Sequence, residues 1–225
     1  MTRTSIKRVA IRGGATLVAL TAFVGFLHTP AGRPLLARVG IGCPIKASAE
    51  DVEHARLVSV RATRGDTVSP ARPALGFQLD TMTLADVNAW ADRNHVSCDE
   101  SRSGSLLRCK DVPTSAIGGS GPKIDELAFG FTPKTKILVN LTSIREGLDS
   151  AVAATEMNEV ASDLKSKLGA PSLASGSRSA TYLGGGVMHT AMLEYRFSDY
   201  IADVSATNLS GHDLMLREHY MSARD

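Results

Sequence analysis

No acidic residue occurs in the first 42 positions of this 225-residue sequence, and no charge of either sign falls between Gly13 and Leu27. A helix buried in a globular core normally keeps a polar face. Gly13–Leu27 offers only scattered threonines, so that reading is set aside. Arg3, Lys7, Arg8 and Arg12 precede the run. Basic residues followed by an apolar stretch are the two leading parts of an export signal, so residues 1–28 are expected to be a signal peptide or a membrane anchor. The run is short for a spanning helix of about 20 residues, although Ile11 and a snorkelling Arg12 would lengthen it. Thr29-Pro30-Ala31 supplies small residues for a cleavage site, with an awkward proline between them. Removal and retention both stand. A retained anchor would leave the amino end in the cytoplasm. The expected location is therefore the periplasm, or the inner membrane with the body outside the cytoplasm.

The sequence also lacks a basic body. Six of its 25 basic residues lie in positions 1–42, which leaves 19 against 23 acidic residues in 43–225, a net charge of −4. Binding along a phosphate backbone needs clustered Lys and Arg to release counterions, so no nucleic-acid partner is expected. The membrane is a partner only through residues 1–28, if they are kept.

Cysteine is scarce, with three in all. Cys98 and Cys109 fall in two strand-like segments, Val96–Ser101 and Ser105–Lys110, joined around Arg102-Ser103-Gly104. A hairpin there would bring them together, and an oxidising compartment permits the bond. A Cys98–Cys109 disulfide is expected, with two buried free thiols as the alternative. Cys43 does not fit a lipid-modified cysteine, because Gly40 stands three places before it and it lies 16 residues beyond Leu27. It is read as a free thiol or an intermolecular bridge.

Catalytic and metal motifs are absent too. Ser162 and Lys165 have a Ser-x-x-Lys spacing, but no Ser-Asp-Asn or Lys-Thr-Gly partner accompanies them. They read as a surface pair on a helix. Gly118-Gly119-Ser120-Gly121 and Gly184-Gly185-Gly186 do not open a helix after a strand, as a phosphate loop does. His54, His95, His189, His212 and His219 show no metal-ligand spacing on one element. The carboxylates Asp99 and Glu100, or Asp125 and Glu126, are neighbours in strands and point to opposite faces. No catalytic, cofactor or metal residue is assigned.

What is present is regular order. Residues 29–74 read as a connector with one short helix, Glu50–Arg64, whose Val52, Ala55, Val58 and Ala62 fall near helical spacing. From Leu75 a short strand, Leu75–Leu79, leads into a helix Leu84–Arg93 capped by Thr83 with Asp86 three residues on. Strands are expected at Val96–Ser101, Ser105–Lys110, Ile124–Phe131 and Lys136–Ser143, the last two joined by a turn at Thr132–Thr135. The order then repeats. A helix runs from Asp149 or Ser150 to Leu168, stopped by Gly169 and Pro171. Strands follow at Ala180–Leu183, Met188–Phe197, Tyr200–Asn208 and Asp213–Tyr220. The expected fold class is α+β, helices packed on antiparallel sheet, with two tandem units at 75–145 and 146–225, each a helix and four strands. Alternation puts several of Tyr182, Tyr195, Phe197, Tyr200 and Tyr220 on the face that meets the helix, and the set is read as core.

Two motifs carry a resemblance. Met82-Thr83-Leu84-Ala85-Asp86-Val87 resembles the Met-Thr-x-x-Glu-Val helix entry of small bacterial envelope proteins of the SmpA type. Leu168-Gly169-Ala170-Pro171 is similar to the Leu-Gly-x-Pro helix exit of the same group. Thr81 replaces the usual preceding glycine, and entry and exit fall on different helices here. The resemblance extends to the related secreted β-lactamase inhibitor protein fold, which has two helix-on-sheet modules in tandem. It implies a non-catalytic module that binds a protein, such as another envelope protein, or an envelope component. The alternatives are an enzyme with a site assembled from dispersed residues and a purely structural, membrane-tethered domain.

Overall fold

Ser48 starts the first helix, α1 (Ala49–Thr63): its hydroxyl accepts the Asp51 N–H while the Asp51 carboxylate accepts the Ser48 N–H. This capping box satisfies two amide groups that the first turn leaves without helical partners. The computed structural model describes residues 48–210 and 213–224, which group as one unit from Ser48 onward. The leader, Cys43 and His212 lie outside the described residues.

α1 forms where the spacing predicts a helix, but it docks on a different side. Val52, Ala55, Val58 and Ala62 are exposed, whereas Val60 is fully buried and Arg56 and Leu57 are half-buried. The surface beneath explains the reversal. Arg56 Nη1 reaches the Ser222 carbonyl at 2.6 Å, and Val60 packs in a small cluster with Ile201, Met221 and Ala223. A guanidinium seated on a strand carbonyl, not a valine stripe, fixes the docking side.

The connector then passes round the sheet's end. Gly65 and Ser198 tie it down through bonds from Gly65 N–H to the Phe197 carbonyl and from Ser198 N–H to the Thr67 carbonyl. A Cβ on Gly65 would overlap the Arg196 carbonyl, so only glycine allows this approach. Leu75–Leu79 is not a strand. Leu75 and Gly76 have φ of 52° and 85°, which breaks an extended run, yet Phe77 and Leu79 are buried. Phe77 sits edge-on to Trp90 and Phe129, with ring centroids at 4.9 and 4.8 Å.

α2 (Leu84–Arg93) carries the expected Thr83–Asp86 capping box and buries Val87, Trp90 and Ala91. Then come β1 (Cys98–Ser101), β2 (Leu106–Val112), a 3₁₀ turn (Thr114–Ile117), β3 (Ile124–Phe131) and β4 (Leu138–Leu148). α3 (Ser150–Leu168) is capped by Asp149, whose carboxylate accepts the Ala151 and Val152 N–H groups. β5 (Leu173–Ser175), α4 (Ala180–Leu183), β6 (Thr190–Arg196), β7 (Tyr200–Asn208) and β8 (Leu214–Ser222) complete the chain. Ala180–Leu183 is a helical turn rather than a strand, because the Ser179 hydroxyl accepts the Tyr182 N–H and closes it.

The strands form one antiparallel sheet in the order β1-β2-β3-β4-β8-β7-β6-β5. α2 is followed by β1–β4 and α3 by β5–β8, and the two sets of four meet where β4 pairs β8. The fold is α+β with helices on the sheet, as expected, but the sheet is single where two were expected. Cys98 and Cys109 face each other in the β1–β2 register and are joined as a disulfide.

One face of the sheet closes on α2 and α3. Leu127, Leu141, Val204, Leu216, Tyr195 and Tyr220 belong to it, and all are buried. Period-two alternation places the intervening residues on the opposite face.

Candidate functional site

The register turns that opposite face into rows that cross the sheet. The row Ser101, Leu106, Gly130, Asn140, Met221, Ile201 and Arg196 holds the buried Ile201 and Met221, and residues of α1 pack along it. The next row runs Asp99, Arg108, Ala128, Thr142, His219, Asp203, Glu194 and Leu173 through all eight strands. Beyond it lies Lys110, Glu126, Ile144, Arg217, Ser205, Met192 and Ser175. No residue of these last two rows is buried, although the positions between them on β2, β3, β4, β6, β7 and β8 are.

Several polar and charged side chains on this open face lie in neighbouring pairs. Arg108 lies 3.7 Å from Glu126, Arg196 Nε lies 2.8 Å from Glu194, and His219 Nδ1 lies 3.4 Å from Asp203. Arg217, on the centre strand β8, has no hydrogen-bond or ion-pair partner among the described residues. Ile144 and Ser205 flank it laterally, and Met192 follows Ser205. An unpaired arginine among methionine and isoleucine has the composition of an interface centre, where Arg and Met are enriched.

His219, Asp203 and Ser205 share a shallow depression of about 310 Å³ with Arg217 and Glu194. The carboxylate orients the imidazole, but no hydrogen bond joins His219 to Ser205 among the described residues. A nucleophile needs its base within about 2.6–3.2 Å, so this group holds an acid–histidine pair without an activated hydroxyl.

The second concavity lies on the helix side. A cleft of about 680 Å³ opens between α3, the connector Ala71–Phe77 and the loop Gly118–Ser120, with Arg145, Glu218 and Tyr220 on its floor. Arg145 Nη1 contacts Glu218 Oε1 at 2.7 Å, and the Tyr220 hydroxyl donates to Glu218 Oε2 at 2.5 Å. Burial drives the Tyr220 phenol well above its ordinary range, and the Glu218 charge adds to the shift. The hydroxyl is thus a fixed donor.

Glu156 projects from α3 into this cleft and is 8% exposed. Burial pushes its carboxyl up. Arg145 works against that shift, and Glu159 and Glu218 add to it.

The residues marked from sequence are dispersed. Ser162 and Lys165 are both exposed on α3, away from any partner that would activate the serine. His189 stacks on Tyr182 at 4.7 Å and donates from Nδ1 to the Tyr182 carbonyl at 2.6 Å, an internal support for the Gly184–Gly186 turn. His54 and His95 lie apart on α1 and after α2. Asp99 faces the open side, while Glu100 pairs with Leu107 on the helix side. Gly118 and Gly119 spend their N–H groups on the Ser115 and Thr114 carbonyls, so neither offers that amide to an anion. Glu156, Arg145, Glu218 and Arg217 were not marked. The local pattern gives Arg145, Glu218 and Arg217 only as charged residues within alternating strands, and Glu156 only as a charged residue beside the apolar stripe of a helix.

These features define an α+β domain with one sheet face closed by helices and the other partly open. Compared with protein-family models, characterised proteins and solved structures, the chain matches none of them.

Proposed function

We propose that this chain is an exported envelope protein that acts as a non-catalytic binding module, engaging another protein through the open face of its sheet. The supporting observation is the pair of uncovered rows with Arg217, which has no partner among the described residues, at their middle. The partner surface that fits them offers a carboxylate to Arg217 and apolar contact to Ile144 and Met192. Mixed polar and apolar character suits a partner that comes and goes, since such interfaces are about as polar as the rest of a protein surface. The paired charges around Arg217 are already satisfied at the rim, so they contribute specificity more than affinity.

Export is supported by the leader's composition and by a disulfide, which persists in oxidising compartments and is rare elsewhere. Binding without catalysis agrees with the resemblance to SmpA-type proteins.

The test is capture from an envelope extract with the full chain, its Arg217→Glu variant and its Ser162→Arg variant, the last altered on the exposed surface of α3. Capture of a partner by the wild type and by Ser162→Arg, with at least tenfold less by Arg217→Glu, is the expected outcome. Equal capture by all three would remove the open face from the account.

A further inference from the structure

The helix-side cleft holds an imbalance of charge that the fold does not resolve. Three cations line it and each already has a carboxylate: Arg72 with Asp80 at 2.5 Å, Arg145 with Glu218 at 2.7 Å, and Lys167 with Asp163 at 2.8 Å. Two lining carboxylates are left over, Glu156 and Glu159. They stand three residues apart on α3 and so belong to one side of the helix. Neither has a hydrogen-bond or ion-pair partner among the described residues.

Glu156 is the more telling of the two, because it is more than nine-tenths buried. A buried carboxylate without a partner is costly unless it is neutralised or paired. The fold nonetheless makes room for it. Gly121, with a φ of 97°, brings the loop after the 3₁₀ turn close against the Glu156 carboxyl, where a Cβ would meet Oε1. Leu75, Phe77, Ile117 and Val160 add apolar surface to the cleft. Its volume of about 680 Å³ lies within the range of small-molecule sites. Among the described residues no three His, Cys, Asp or Glu side chains converge as a metal ion would require.

From this geometry we infer that the cleft is a binding site for an organic cation, an amine or guanidinium on an aliphatic stem of about the length of a lysine or arginine side chain. The cationic head pairs with Glu156, Glu159 closes the mouth from the same helix, and the stem lies along Phe77, Ile117 and Val160. The inference rests on the cleft alone and is independent of the open face.

The probes are agmatine and cadaverine, titrated calorimetrically into the full chain, with glutarate and 1,5-pentanediol as anionic and neutral controls. Saturable binding of the two cations and none of the controls is expected at pH 7.5. Glu156→Gln should weaken it about tenfold or more, as loss of a charged hydrogen-bond partner does. The open-face variant Glu194→Gln should leave it unchanged. Affinity should also fall as the pH drops through the Glu156 titration, where Arg145 on β4, Glu218 on β8 and Glu159 on α3 act on that carboxyl, and Arg72 on the connector, Tyr220 on β8, and Asp163 and Lys167 on α3 line the same cleft. A thermal transition retained in Glu156→Gln keeps the comparison valid. No saturable binding, equal binding by folded Glu156→Gln, or loss in Glu194→Gln would each overturn the inference. Unchanged agmatine binding in Arg217→Glu would separate this site from the one that captures protein.

Discussion

Arg145 and Glu218 are 73 residues apart in the chain and sit together under the helices with side-chain exposures of 5% and 1%. Desolvating two charges costs several kcal/mol each, so such a pair adds little net stability, but breaking it leaves one charge buried and alone. Glu218→Leu is therefore expected to lower unfolding free energy by about 3–5 kcal/mol in urea titrations. The double variant Arg145→Met/Glu218→Leu should recover about half of that. A residual loss of about 1–3 kcal/mol should remain for the Tyr220 hydroxyl left without its acceptor. Glu156 behaves in the opposite sense. Its folded pKa is raised by burial, so its stabilising, protonated form prevails below the ordinary glutamate value of 4.5 and is lost as pH rises through the raised value. Glu156→Gln should melt at a higher temperature than the wild type at pH 7, and the gain should shrink toward zero near pH 4. An equal or lower melting temperature at pH 7 would contradict a desolvated, unpaired carboxylate.

Among the elements, those with local signals were legible in the sequence. α3 has its cap at Asp149, its stop at Gly169 and an apolar stripe at helical spacing, and it forms over Ser150–Leu168. β3 spans Ile124–Phe131 as read, and its alternation is regular from Leu127 to Phe131. Elements that depend on distant partners were not legible. β5 has three residues and exists only as the edge partner of β6, while Ala180–Leu183 has strand-like side chains but a serine cap that closes a helical turn. The docking side of α1 was set by the Ser222 carbonyl, which no local pattern reveals. The cleft and the rows were hidden for the same reason, since both are products of strand register. The β1–β2 hairpin was readable through its cysteines, and its disulfide closes a separation of 11 residues. A loop of that size is worth about 2–3 kcal/mol. Cys98→Ser/Cys109→Ser should lose about that much stability, and mass spectrometry of the wild type without reductant should find no free thiol at either position.

For the whole molecule, a single sheet with unequal faces is the organising fact. α2 and α3 cover one side completely enough to bury Tyr195, Tyr200 and Tyr220, and α1 covers only one row of the other. On the proposed reading the faces divide the labour, with a cleft of about 680 Å³ on the helix side for a small cation and the breadth of the open side for a protein. Two four-stranded sets joined at β4 and β8 are what give the open face that breadth, because each uncovered row continues across the junction. Photocross-linking tests the central claim most directly, with a photoreactive side chain placed in turn at Thr142 on the open face and at Ser162 on the outer surface of α3 of the full chain in cells. A discrete protein adduct from position 142, weakened by Arg217→Glu and missing from position 162, is the result the account predicts. Adducts from neither position, or equally from both, would contradict it.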